Sequence, residues 1–167
     1  MKGDVAAQYK LYALYSKAMF NICYRMVNQQ EEAEDILQEA FTYAFRKLGS
    51  FRFESSFGAW LKRIVVNTCI NHLKKRRVEL VYTDTSYDVM PEDDHVDYGE
   101  VQMEVQKVRK AVEQLPDGYR VIFSLYLLEG YDHREIAGIL DISESTSKSQ
   151  YLRAKKKIKE ILDTYEG

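Results

Sequence analysis

Cysteine and proline are scarce in this chain, with two of each in 167 residues. Cys23 and Cys69 stand far apart and in no CxxC pairing. That excludes a disulfide framework or a thiolate zinc site and predicts two buried, reduced thiols. With only Pro91 and Pro116 to interrupt it, and Leu, Ala, Glu, Lys and Gln abundant, the chain is expected to be helical nearly throughout. No apolar run approaches the roughly 18 residues needed to cross a bilayer, and the N-terminus has no secretory apolar core, so a cytoplasmic protein is expected. A glycine-rich phosphate loop is missing. His72, His95 and His133 belong to separate segments, and "HRE" at 133–135 has no CxxC downstream to complete a deaminase-like zinc site. An enzyme is therefore not expected, and neither is a catalytic residue, a metal site or a cofactor.

Basic residues are also missing from one long stretch: between Val78 and Gln106 nine acids occur without a single Lys or Arg. The formal net charge of -2 averages over several such blocks. Met26 to Phe45 holds Glu31, Glu32, Glu34, Asp35 and Glu39 and no base, whereas Ser55 to Val78 holds six bases and no acid. Ser145 to Lys159 again carries six bases (Lys148, Arg153, Lys155, Lys156, Lys157, Lys159) and no acid. Charge sorted by segment presents separate faces to separate partners.

What is present has helical periodicity. Leu11, Leu14, Tyr15, Ala18, Met19, Ile22, Cys23 and Met26 mark one face of a first helix between Asp4 and Asn28. Asn28 and Glu31 have capping-box spacing for a second helix striped by Ile36, Leu37, Ala40, Phe41, Ala44, Phe45 and Leu48, with Gly49 expected to close it. The loop "SFRFESSF" precedes a third helix carrying Trp60, Leu61, Ile64, Val65 and Ile70. Periodicity fades in the acidic stretch, which reads as a linker, and resumes at Val101. The expected fold is all-α: two small helical domains, residues 1–77 and 101–167, joined by an acidic linker at 78–100. In the second, a short apolar helix should end at Gly130. Asp132 and Glu135 then have capping-box spacing, Asp141 and Ile142 make a tight turn, and Ser143 caps a last helix. That is a helix-turn-helix pattern, with Tyr151, Leu152, Ile158 and Ile161 as candidates for its buried side.

A helix-turn-helix sets the first residues of its second helix against major-groove base edges. Ser145, Thr146, Lys148, Ser149 and Arg153 have that position, and Lys155, Lys156, Lys157 and Lys159 extend the positive side. About six phosphate contacts would weaken binding roughly a thousandfold between 50 and 200 mM salt. The first basic block differs because Phe51, Phe53, Phe57 and Trp60 lie just upstream, and aromatics beside cations suit unpaired bases. Phe57 and Trp60 have core spacing as well. Asn67 and Asn71, four apart, read equally as base readers and as polar surface.

In order, these segments resemble a bacterial RNA polymerase sigma factor of the extracytoplasmic-function (ECF) type. "EEAEDILQEAFTYAFRKLGSF" resembles the acidic helix of region two, and "SSFGAWLKRIVVNTCINHLKKRR" its promoter-reading helix. "VEQLPDGYRVIFSLYLLEGYDHREIAGILDISESTSKSQYLRAKKKIKEIL" resembles region four. The resemblance implies that Asp35, Gln38 and Glu39 bind the clamp helices of the polymerase beta-prime subunit. It implies that the loop from Phe51 through Arg52, Phe53, Glu54 and Ser55 captures a flipped base of the minus-ten element, with Asn67, Asn71, Lys74 and Arg77 on adjacent DNA. Region four would sit on the beta flap and read the minus-thirty-five element as duplex through Ser145, Thr146, Lys148, Ser149, Leu152, Arg153 and Lys156. The linker would run through the polymerase channels, a polyanion imitating nucleic acid. An anti-sigma partner would cover exposed apolar surface on both modules.

The chain departs from the family pattern at three places. Ser145 to Tyr151 replace Gly-Thr-Val-Lys-Ser-Arg-Leu, which predicts a lost DNA contact at Gln150. Asp141 replaces a turn Gly, and Asp tolerates the left-handed conformation that the turn needs. Phe53 replaces a Gly, which predicts a bulkier loop with its own base preference. From the residues alone, a free-standing helix-turn-helix regulator is the competing function; it accounts for the C-terminal half and gives no reason for the acidic and basic helices before the linker.

Overall fold

The computed structural model describes residues 3–76 and 101–166. The acidic stretch 78–100, the domain boundaries expected at its ends, and Arg77 lie outside the described residues. Among those described, the regular structure is entirely helical and divides into two compact units.

In the first unit, Asp4 accepts hydrogen bonds from the Ala6 and Ala7 amides at 3.0 and 3.3 Å and so starts α1, Val5–Val27. The apolar stripe of α1 is buried only in its second half, at Met19, Ile22, Cys23, Met26 and Val27. Leu14, expected on the same stripe, is 75% exposed, although its neighbours Tyr12 and Tyr15 reach the rings of Phe41 and Phe57, with centroids 4.8 and 5.3 Å apart. Asn28 does not cap α2. It ends α1 in the left-handed conformation (φ 54°), a conformation that Asn tolerates, and Gln29 occupies the cap position of α2, Gln30–Lys47. Ala33, Ile36, Leu37, Ala40, Phe41 and Ala44 form the buried side of α2. Gly49 does not close this helix in a left-handed cap either: α2 tightens into a 3-10 turn, Leu48–Ser50, and the Phe51 amide bonds the Leu48 carbonyl at 3.1 Å.

Ser56 then caps α3, Phe57–Lys75, accepting from the Ala59 amide at 3.2 Å. Leu61, Val65, Val66, Cys69, Ile70 and Leu73 complete the three-helix core, in which each fully buried aliphatic side chain contributes about 1.5–3 kcal/mol. Both thiols are buried and unpaired with one another. At Gly58 a β-carbon would sit 3.0 Å from the Tyr15 ring, so the missing side chain lets the start of α3 approach α1. Arg76, one residue beyond α3, pairs with Glu32 and donates to the Val27 carbonyl and to Gln29 Oε1, pinning the end of α3 to the α1–α2 link.

The second unit is built on α7, Glu144–Glu166, against which α4 (Val101–Glu113), α5 (Asp117–Phe123) and α6 (His133–Leu140) pack. Buried Arg120 pairs with Asp117 and donates to the Leu115 carbonyl at 3.1 Å, fixing the "LPDG" turn between α4 and α5. α5 widens into a π-helical turn, Ser124–Leu128, closed by the Glu129 amide on the Ser124 carbonyl at 2.9 Å. Gly130, at φ 75°, ends it where the sequence predicts. The capping box of Asp132 and Glu135 forms in both directions and starts α6. Asp141 turns the chain in the left-handed conformation (φ 57°, ψ 49°), and Ser143 accepts from the Thr146 amide at 3.0 Å to start α7.

Candidate nucleic-acid interfaces and the acidic helix

Five aromatic rings gather where the loop 51–56 meets the start of α3. Phe51 lies at their centre, with ring centroids 5.2 Å from Trp60, 5.9 Å from Phe57 and 4.6 Å from Phe53. Phe57 reaches on to Tyr15 at 5.3 Å. Phe51, Phe57 and Trp60 are half-buried, so these rings are at once the floor of the loop and the edge of the core. Phe53 is the outermost of them, 85% exposed and in the left-handed region at φ 58°. Arg52, Glu54 and Ser55 are exposed on either side.

From this loop α3 carries a polar stripe away at spacings of four, four and three: Arg63, Asn67, Asn71 and Lys74, all exposed. The structure thereby puts both asparagines on the surface, on one face with two cations. Arg63 belongs to the basic block expected beside the aromatic residues, and its place four before Asn67 aligns it with the residues expected on minus-ten DNA. The "KKRR" run is divided: Lys74 and Lys75 point outward, while Arg76 is half-buried in its clamp.

On α2, Asp35, Gln38 and Glu39 share one exposed face. Glu39 also meets His72 of α3, Oε2 to Nε2 2.6 Å, tying the acidic helix to the basic one. Glu32 is used inward on Arg76. The five acids of α2 thus split between surface and scaffold, a division that charge counting cannot reveal.

In the second unit, the exposed face of α7 collects Ser145, Lys148 and Lys156, with half-buried Ser149, Leu152 and Arg153 between and beside them. Thr146 does not join them. It is 5% exposed, its hydroxyl 2.7 Å from Ser143 Oγ, and it belongs to the cap of α7. Gln150 is 2% exposed, on the inward side with Tyr151, Ala154 and Ile158. The expected loss of a DNA contact there is therefore overturned: the departure from the family pattern falls on an interior position. Of the other residues expected to be buried, Leu152 and Ile161 are only half-buried. Lys148 bonds Glu144 one turn earlier at 2.9 Å, and that hydrogen bond, followed by the charge behind it, holds the exposed Glu144 carboxyl below its ordinary range.

His133 stacks on Tyr126 at 4.3 Å and meets Ser147 Oγ at 2.8 Å, joining the first turn of α6 to the first turn of α7. Among the described residues, no three His, Cys, Asp or Glu side chains stand together to hold a metal, and no helix is long and apolar enough to cross a membrane. One surface is thus aromatic and cationic, suited to bases with an open face. The other is a cationic helix-turn-helix suited to duplex.

Residues 11–79 match the family described as Sigma-70 region 2, and residues 105–158 match Sigma-70, region 4. The RNA polymerase sigma-H factor of Pseudomonas aeruginosa is 31% identical over 96% of this chain and 89% of its own length. The ECF RNA polymerase sigma factor SigW of Bacillus subtilis is 31% identical, with 96% and 91% covered. The ECF RNA polymerase sigma-E factor of Escherichia coli is 32% identical, with 94% and 87% covered. Among solved structures, the fold is similar to the sigma factor RpoE in complex with the anti-sigma factor NepR from Bartonella quintana (TM-score 0.60, 24% identity, 93% of this chain and 96% of that one). It is similar also to CnrH in complex with the cytosolic domain of CnrY (TM-score 0.56, 22% identity, 97% and 91% covered).

Proposed function

The chain belongs to the ECF family of RNA polymerase sigma factors, and from that premise we propose how its surfaces divide the work of starting transcription. Such a factor binds core RNA polymerase and directs it to promoter DNA, so three contacts need places on the molecule. The free-standing regulator is not favoured, because it leaves residues 11–79 and their region 2 match without a role.

The observation that carries the division is the difference in chemistry between the two cationic surfaces. Rings beside Arg52, continued along α3 by the stripe of Arg63, Asn67, Asn71 and Lys74, suit the minus-ten element once its strands have parted, when bases offer a face to stack on and a backbone to hold. The α7 face of Ser145, Lys148, Ser149, Leu152, Arg153 and Lys156 suits the minus-thirty-five element as intact duplex. Thr146 contributes through the helix cap. Asp35 and Gln38, exposed on α2, form the polymerase contact with Glu39, whose bond to His72 sets its direction. The domain limits 1–77 and 101–167, with the intervening acidic segment in polymerase channels and the second unit on the beta flap, complete the reading. The polymerase supplies the chemistry; no catalytic role falls to this chain, and its place of action is the cytoplasm.

An inhibitory anti-sigma partner fits the exposed apolar residues of both units, Tyr9 and Leu14 on α1 and Leu127 and Leu128 after α5. One solved structure of this fold is described as a sigma factor in complex with an anti-sigma factor, which supports the reading.

The test is reconstituted transcription. Parent protein with core polymerase should start transcripts at defined sites. Lys148→Glu with Arg153→Glu should lower initiation at least tenfold while leaving core binding intact, and Asp35→Asn with Gln38→Ala should weaken core binding. Unchanged initiation in the first variant and unchanged core affinity in the second would overturn the assignment of surfaces.

A further inference from the structure

Ser147 puts a fully buried hydroxyl on the helix that faces duplex: it is 0% exposed, while Lys148, the next residue, points outward. The family pattern has Val at this position, and a buried hydroxyl costs stability that a valine does not, unless it is hydrogen-bonded. Here it is bonded. His133 Nδ1, from the first turn of α6, lies 2.8 Å from Ser147 Oγ. The imidazole is itself held, stacked on Tyr126 at 4.3 Å and 13°. Tyr151 of α7 meets both rings, 4.5 Å from Tyr126 and 5.7 Å from His133. Tyr126 belongs to the π-helical turn Ser124–Leu128, and such turns are rare and gather at functional sites.

Apolar packing between two helices is non-directional and leaves room for small slides and rotations. A hydrogen bond from a ring held on two other rings has a set length and direction. This one is made in the first turn of α7, between Ser145 on one side and Lys148 and Ser149 on the other. It therefore governs how deep, and at what rotation, these three side chains are presented. Base edges are read by groups held within about 0.5 Å of their seat. Phosphate contacts carry no sequence information, and long cations can follow a small displacement. We infer that His133 is a positioning residue for promoter reading: through Ser147 it fixes the seat of the first turn of α7, and with it the choice between base pairs, without touching DNA itself. This rests on the minus-thirty-five reading of α7 and deepens it, from which side chains face the duplex to what makes them discriminate.

The probe is a duplex carrying the minus-thirty-five element of a promoter mapped by its transcription start, titrated onto polymerase reconstituted with this protein. A second series alters the duplex one base pair at a time, and the most damaging change should weaken the parent about tenfold. His133→Phe keeps a ring on Tyr126 and loses the polar atom; Ser147→Ala loses the hydroxyl. Each should cut that discrimination to about twofold, and the double variant should be no worse than either, because the two residues act through one bond. The slope of binding against log salt should stay as in the parent. His133→Asn loses the ring but keeps a polar atom close to the place of Nδ1, so it should retain the parent's discrimination even if circular dichroism shows a lower melting temperature. Discrimination kept by His133→Phe and lost by His133→Asn would make ring packing the whole role and overturn the inference. Should both variants lose it, or His133→Phe fail to fold, Ser147→Ala decides: loss sustains the inference and parental discrimination sinks it. Weakening by the same factor on every duplex also counts against it. If His133→Phe and Ser147→Ala discriminate like the parent while Lys148→Ala loses affinity, the positioning role fails and the minus-thirty-five reading stands. If Lys148→Ala binds like the parent as well, both fail together.

Discussion

Among the described residues, three that are not glycine have a positive φ, Asn28, Phe53 and Asp141, and they differ in how well chemistry prepares them for it. Asn and Asp have short polar side chains that tolerate the left-handed region, and each ends a helix there. Phe has no such excuse, and its ring buries little in return. Phe53→Gly should therefore leave the thermal midpoint of the protein no lower than the parent's, measured by circular dichroism, although it removes an aromatic side chain. At Glu144 the relevant condition is pH. Its carboxyl is held below its ordinary range by Lys148, so the pair favours the folded helix above the unfolded value of 4.5 and stops doing so as pH falls through the lowered folded value. A comparison of parent and Glu144→Gln melting across pH should find their difference largest near neutrality and vanishing in acid.

Elements in this protein are fixed mostly by their ends. One guanidinium, Arg76, serves the last carbonyl of α1, the link side chain Gln29 and the first-turn carboxylate of α2. Arg76→Ala should destabilise the first unit by about 1.5–3 kcal/mol in urea unfolding, the range for a lost hydrogen bond to a charged group. The helices themselves and the helix-turn-helix were legible because periodicity and the Asp132–Glu135 and Ser143 caps are local signals. The ends around Asn28 and Gly49 were not. Asn suits both the left-handed close of one helix and the start of another, and with two residues between α1 and α2 the sequence does not say which use wins. Burial around α7 was legible at Tyr151 and Ile158 and illegible at Thr146 and Gln150, because polar residues at these positions face inward and satisfy a cap or the interior. The link between Glu39 and His72 joins residues 33 apart, and no local pattern encodes such a pairing.

Across the whole molecule the net charge of -2 says little about binding, since α3 of the first unit and α7 of the second each carry a run of exposed cations. Salt should reveal this. With reconstituted polymerase and a duplex minus-thirty-five fragment, binding should weaken linearly in log salt, and Lys148→Ala and Lys156→Ala should each reduce the slope by about 1. A neutral substitution at buried Gln150 should leave the slope alone. The Arg76 clamp has a consequence at this scale too. It nails down the point from which the path toward the second unit is measured, and 24 residues separate Arg76 from Val101. At full stretch they let Arg76 and Val101 stand no more than about 90 Å apart. On the proposed division of surfaces, covalent length makes the protein a ruler with a hard upper mark, and a promoter whose two elements demand a wider span between these residues would be out of range, however good each half-site is by itself.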